Sequence, residues 1–163
     1  MRRILLIAAV LSMGVAARAQ DNSHRIGLGA GVSYHLAGDA VLFWEYETHY
    51  HNAWEVFAEG QMSLPQNGQQ FGDVARRWGL GAAYKPCIYR ARNRYGSARF
   101  GVSFGASPSD FQATLLAGWQ QSYVLRGGWQ FYWQAGVSVT LPKWNGLFHA
   151  GAEIGIKMPV RIR

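Results

Sequence analysis

The sequence of 163 residues predicts an all-β protein, an eight-stranded antiparallel up-and-down transmembrane β-barrel with an apolar exterior and a polar lumen. Three observations indicate this fold class. Apolar and polar residues alternate through one segment after another, and all five Glu fall on the polar side of that alternation. Trp and Tyr recur toward the segment ends, where transmembrane strands carry their interfacial anchors.

The first 19 residues have the features of a secretory signal peptide. A basic start precedes an apolar run over residues 4–15, and Ala17-Arg18-Ala19 supplies the small-x-small pattern of a cleavage site. We therefore expect residues 20–163 to form the exported β-barrel domain. Removal of three arginines with the signal lowers the net charge from +7 to +4, which argues against direct nucleic-acid binding.

Eight segments after the signal show the two-residue period of strands. No apolar run among them approaches the ~20 residues of a membrane helix, whereas their lengths fit the ~9–11 residues of a tilted transmembrane strand. A soluble barrel would turn the apolar face inward, but the polar face here is rich in Gly and Ser, which fit a narrow lumen. The segments are residues 26–34, 42–50, 54–62, 78–84, 98–106, 111–123, 129–141 and 148–160.

The polar face carries a balanced set of charges, with five Glu against five Lys and Arg. This balance suits an enclosed lumen, because an unpaired charge there is costly. We expect each Glu, including Glu153, to lie opposite a base. The predicted lumen charge network consists of Arg25, Glu45, Glu47, Glu55, Glu59, Arg77, Lys85, Arg99, Glu153 and Lys157.

Turn residues separate most of the segments, and the loops alternate between the two sides of the membrane. With both chain ends in the periplasm, the predicted outer loops are residues 36–39, 64–76, 107–110 and 142–146. The predicted inner connections are residues 52–53, 86–95 and 126–128. Arg90, Arg92 and Arg94 concentrate positive charge in one inner connection, which indicates either a solvated turn near anionic head groups or a docking surface for a periplasmic partner.

The sequence predicts no catalytic, cofactor or metal site. Glu45-x-Glu47-x-His49-x-His51 puts four metal-ligating residue types on one strand face, but ion pairs with nearby bases explain the carboxylates better. His149 and the lumen Ser residues leave open a lipid-modifying enzyme, although no spacing selects one Ser. Because side chains fill an eight-stranded barrel, we expect no channel for solutes or DNA.

Two regions of the chain resemble the TraO proteins of conjugative transposons. The first is Gly79-Leu80-Gly81-Ala82-Ala83-Tyr84-Lys85-Pro86-Cys87 with residues 90–96 behind it, and the second is Phe148-His149 followed by Ile154-Gly155-Ile156-Lys157. The resemblance implies an exported outer-membrane component of a conjugative transfer apparatus, with membrane lipid and other transfer proteins as partners. It implies no catalytic residues. The alternative is a free-standing barrel for envelope stability or adhesion.

Overall fold

The strands close into one antiparallel barrel in a computed structural model that describes residues 23–34, 37–63, 76–108, 110–141 and 148–160. Sequential strands pair with each other, and the last strand pairs with the first, which closes the sheet. This architecture confirms the predicted eight-stranded antiparallel barrel. The strands are β1 Ser23–Ser33, β2 Ala37–Glu47, β3 Ala53–Ser63, β4 Arg76–Lys85, β5 Cys87–Ala91, β6 Arg94–Ala106, β7 Phe111–Val124, β8 Gln130–Leu141 and β9 Phe148–Val160.

Strands β4 and β5 together occupy one of the eight barrel positions. Pro86 interrupts them because proline has no N–H to donate to a neighbouring strand, and both pieces pair with β6. The connection predicted over residues 86–95 is therefore shorter than expected, because most of these residues continue the strands. That segment forms a hairpin, in which a turn at Arg92 and Asn93 joins β5 to β6.

Two further boundaries differ from the sequence prediction. The predicted loop at residues 36–39 is wrong, because β2 begins at Ala37 and pairs there with both Ser33 and Ser63. The alternation predicted that the second strand continues to Tyr50, but β2 ends at Glu47. A turn follows in which Thr48 N–H donates to Asn52 O at 2.8 Å and His51 has a φ of 61°.

The predicted signal peptide at residues 1–19, most of the predicted loop at 64–76 and the predicted loop at 142–146 lie outside the described residues. The barrel has two ends, which we name separately. The terminal end is the one at which β1 starts and β9 finishes, and the loop end is the one opposite it. No helix in the described ranges is long and apolar enough to cross a membrane.

The outer face of the barrel is apolar along its whole height. Side chains of alternate residues point away from the lumen and remain largely uncovered, as with Leu80, which is 58% exposed. Aromatic residues near the terminal end include Trp44, Trp54 and Tyr84, and the rings of Trp54 and Tyr84 lie 4.7 Å apart on neighbouring strands. Such a surface is suited to acyl chains with an aromatic border at the head-group level.

Candidate functional site in the barrel lumen

A cluster of buried ions crosses the lumen at the height of the terminal-end aromatic residues. Lys85 Nζ donates to Glu55 at 2.5 Å and also contacts Glu45, and Lys157 Nζ lies 2.9 Å from both oxygens of Glu45. Arg99 pairs with Glu55 at 2.7 Å. Each Glu of this set therefore meets two bases. We call these five residues, Glu45, Glu55, Lys85, Arg99 and Lys157, the central charge cluster.

Aromatic rings pack around this cluster, so the lumen is less uniformly polar than the sequence indicated. Phe43, Phe57 and Tyr132 are buried inside the barrel, and the rings of Phe43 and Tyr132 lie 5.6 Å apart. Glycine makes room for them, because a Cβ at Gly27 would clash with the Phe43 ring and a Cβ at Gly81 with the Phe57 ring. These glycines therefore allow the rings to lie against the barrel wall.

A second set of contacts lies toward the terminal end. Arg25 Nε donates to Glu47 at 2.8 Å, and the Tyr95 hydroxyl donates to the same carboxylate at 3.1 Å. His51 also contacts Glu47, and its ring stacks on Tyr95 with a 4.4 Å separation of centroids. His49 lies exposed in the turn against Tyr50, so the four metal-ligating residue types noted in the sequence do not share one face.

A cavity of about 110 Å³ occupies the loop end of the lumen. On one side, Arg77 pairs with Glu59 at 3.2 Å and donates to Thr114 at 2.5 Å. On the other side, Glu153 accepts hydrogen bonds from Gln134 at 2.6 Å and from the Tyr132 hydroxyl. Neutral donors thus hydrogen-bond Glu153, and Arg99 is a base in whose electrostatic field it lies.

Asp39 is a lumen carboxylate that the sequence reading assigned to a turn. It lines the loop-end cavity and lies in the electrostatic field of Glu59 and Glu153. Tyr95 was missed because it falls in the connection predicted at residues 86–95, whereas Phe43 and Phe57 were missed for a different reason. Val41-Leu42-Phe43-Trp44 is continuously apolar, so alternation alone does not show which of its residues face inward.

The three arginines proposed for docking lie on the β5–β6 hairpin at the terminal end. Arg90, Arg92 and Arg94 are all exposed, and the Arg94 guanidinium lies 5.9 Å from the centre of the Tyr89 ring. Arg90 belongs to β5, Arg92 to the turn and Arg94 to β6. The structure therefore places them on one short protruding element and separates them from the lumen network.

The chemistry available in the lumen is ion pairing and hydrogen bonding. Among the residues that the structure describes, no group of three or more His, Cys, Asp or Glu side chains could hold a metal ion. His149 is buried beside the loop-end cavity, which Ser33 and Ser138 also line. His149 and Ser138 are register partners on β8 and β9, the nearest approach to the His–Ser pairing considered from the sequence.

Solved structures of outer-membrane proteins share this architecture. The chain is similar to a major outer membrane protein from Thermus thermophilus, with a TM-score of 0.65 at 11% identity over 86% of this chain and 100% of that one. It is also similar to the outer membrane protein Ail of Yersinia pestis in a phospholipid nanodisc, with a TM-score of 0.55 at 12% identity over 86% and 100% of the chains. The fold is that of outer-membrane β-barrels.

A de novo designed transmembrane β-barrel is similar as well, with a TM-score of 0.55 at 12% identity over 88% of this chain and 100% of the designed one. No family model and no curated protein matches the sequence. Identities of 11–12% show a shared fold and carry no information on activity. The function therefore has to be argued from the barrel itself and from the sequence resemblance.

Proposed function

We propose that the protein is exported to the outer membrane and serves there as a non-enzymatic structural component of a conjugative transfer apparatus. The apolar outer face and the outer-membrane barrel fold support the location. The resemblance of residues 79–87, 90–96 and 148–157 to TraO proteins supports the conjugative role. Its partners would be outer-membrane lipid around the barrel and other transfer proteins at its ends.

The filled lumen is the observation that carries the structural role. Lys85 is 1% exposed and Glu45 and Tyr132 are 0% exposed. Lys85 and Lys157 each contact both Glu45 on β2 and Gln120 on β7, so these contacts join opposite walls of the barrel. A solute or a DNA strand would have to break buried ion pairs to pass this layer, at a cost of several kcal/mol for each charge left alone. We therefore assign the protein to support or attachment within the apparatus and exclude transport through its own lumen.

The lumen favours no enzymatic role. Glu45, Glu55 and Glu59 are each neutralised by a base, and such fixed ion pairs make these three carboxylates poor proton acceptors. His149 beside Ser138 remains the arrangement to test. We expect His149→Ala to preserve transfer and the lipid composition of the membrane, and a changed lipid profile would instead support a lipid-modifying enzyme.

Cell fractionation with a heat-modifiability gel tests the location. We expect the protein in the outer-membrane fraction, with a band that shifts on boiling because folded barrels resist detergent at room temperature. An unshifted band in the soluble periplasmic fraction would contradict membrane insertion.

A mating assay tests the role. In-frame deletion of the gene should abolish or strongly reduce transfer of the element, and expression of the wild-type chain should restore it. Lys85→Met, which should lower barrel stability, should restore transfer poorly, whereas Arg126→Met on an exposed turn should restore it fully. Unchanged transfer combined with a leaky envelope would favour the free-standing barrel.

A further inference from the structure

The β5–β6 hairpin carries a strand edge that no other strand covers. β5 pairs with β6 alone in the described part of the chain, whereas the other barrel strands have a partner on each side. Asn52 Oδ1 accepts the Cys87 N–H at 2.8 Å at the base of this edge, which then continues to Ala91. An uncovered strand edge is a template on which an extended segment of another chain can add a strand.

The surroundings of this edge are cationic and partly apolar. Arg90, Arg92 and Arg94 are exposed, and residues 87–94 contain no Asp or Glu. Ile88 and Tyr89 are 65% and 43% exposed beside them. The edge therefore offers backbone hydrogen bonds, apolar contacts and positive charge to whatever lies along it.

The position of the hairpin favours a protein partner over lipid. Arg90 follows Tyr84, in the aromatic border, by six residues, which is about 20 Å along the strand at roughly 3.3 Å per residue. A strand tilt of about 40° converts this to about 15 Å along the barrel axis. The head-group layer on each side of a bilayer is only about 5–8 Å thick. The arginines thus extend past the layer in which anionic head groups lie.

A second copy of this chain is a poor occupant, because two barrels in the same membrane orientation would present their β5 edges in parallel and bring the two sets of three arginines side by side. We infer that the β5 edge is a docking site for an extended, acidic segment of a partner protein, which adds a strand to β5 and places its carboxylates among Arg90, Arg92 and Arg94. This inference names the contact surface of the proposed structural role and rests on it.

A binding measurement on the full chain in phosphatidylcholine nanodiscs tests the inference. The probe is a fluorescein-labelled peptide of alternating Glu and Val, followed by anisotropy. We expect saturable binding that Arg90→Glu weakens by about fivefold or more, since an exposed ion pair contributes up to about 1 kcal/mol. Arg126→Glu is the matched control, an exposed arginine on a neighbouring turn at the same end, and should change binding less than about twofold.

A backbone-modified peptide separates strand addition from simple charge attraction. The same Glu–Val peptide with every backbone nitrogen methylated cannot donate ladder hydrogen bonds and should bind about tenfold more weakly or worse. Equal binding of the two peptides would overturn strand addition, and an equal loss in Arg90→Glu and Arg126→Glu would overturn the site. Binding to phosphatidylglycerol vesicles without peptide binding would show a lipid contact instead and overturn the inference.

The mating assay keeps this inference separate from the proposed function. If deletion of the gene abolishes transfer but the peptide does not bind, the conjugative role stands and the docking edge is wrong. If the peptide binds as expected but deletion leaves transfer unchanged, the edge stands as a binding surface and the conjugative role is wrong.

Discussion

The central charge cluster and the loop-end cavity lie in the same lumen, but they treat buried charge differently. In the central charge cluster, Glu45 and Glu55 each meet two bases, and aromatic rings fill the remaining space. At the loop-end cavity, Asp39 lies near Glu59 and Glu153, and only Glu59 has a base within ion-pair distance among them in the described residues. The central charge cluster is therefore fully paired and closely packed. The loop-end cavity instead has excess negative charge next to a space that water can enter.

Removal of Lys85 should have the largest effect, because it leaves two buried carboxylates with one base fewer each. For Lys85→Met we expect the free energy of unfolding to fall by about 3–5 kcal/mol, as measured by guanidinium unfolding in lipid vesicles with tryptophan fluorescence. Arg126→Met, on an exposed turn, should change it by less than about 0.5 kcal/mol. Equal stability of the two variants would show that the centre does not depend on its ion pairs.

A charge placed on the outer face of the same strand should have the next largest effect. Leu80 points outward near mid-height, and Leu80→Arg should lower the free energy of unfolding in vesicles by about 2–4 kcal/mol because the guanidinium enters hydrocarbon. Leu125→Arg at the terminal-end turn should cost about 1 kcal/mol or less. A Leu80→Arg barrel as stable as the wild type would contradict a lipid-facing exterior.

A single methyl group added beneath an aromatic ring should have an intermediate effect. Gly27→Ala should lower the free energy of unfolding by about 1–3 kcal/mol, since the Phe43 ring lies where the new Cβ would be. Gly60→Ala is the matched control, because a Cβ there meets no atom within 4 Å. If both substitutions cost the same, the packing of the centre is looser than the structure shows.

Neutralisation at the loop-end cavity should have the smallest effect, and it should be favourable. Asp39→Asn removes repulsion from Glu59 and Glu153 and should raise the free energy of unfolding by up to about 1 kcal/mol. Glu59→Gln should act in the opposite direction, because it weakens the contacts with Arg77 and with Ser103 at 2.7 Å. Destabilisation by Asp39→Asn would mean that Asp39 has a stabilising partner and that the contrast between the two regions is false.

The sequence predicted the features that depend on the two-residue period of strands and on the placement of charges. It did not predict features in segments where apolar and polar residues do not alternate. Strand alternation assigned Glu45, Lys85 and Lys157 to the lumen because polar and apolar residues alternate cleanly around them. It could not assign Phe43, because its neighbours on both sides are apolar. Nor could it show that Tyr132 and Gln134 hold Glu153, since this contact depends on the registers of β8 and β9.

Hairpin β5–β6 illustrates a second limit. Pro86 and the Arg-rich run after it are typical of a loop, and only the pairing of Ala91 with Arg94 across two turn residues shows that the strands continue. The hairpin forms in spite of these local turn signals because the neighbouring strand β7 stabilises it. Val124 N–H of β7 donates to Asn93 O at 2.8 Å. Long-range pairing of this kind is not visible in a local pattern.

The contact of Lys157 with Glu45 joins the last strand of the barrel to the second, across β1. If the strands associate in chain order, Glu45 gains this cation only when the seam between β9 and β1 forms. Before that step, Glu45 would meet Lys85 but not Lys157, and Lys157 would lack the carboxylate that it contacts in the closed barrel. Completion of the seam would then give Lys157 its carboxylate and Glu45 its second base, so partly open insertion intermediates would be disfavoured relative to the sealed cylinder.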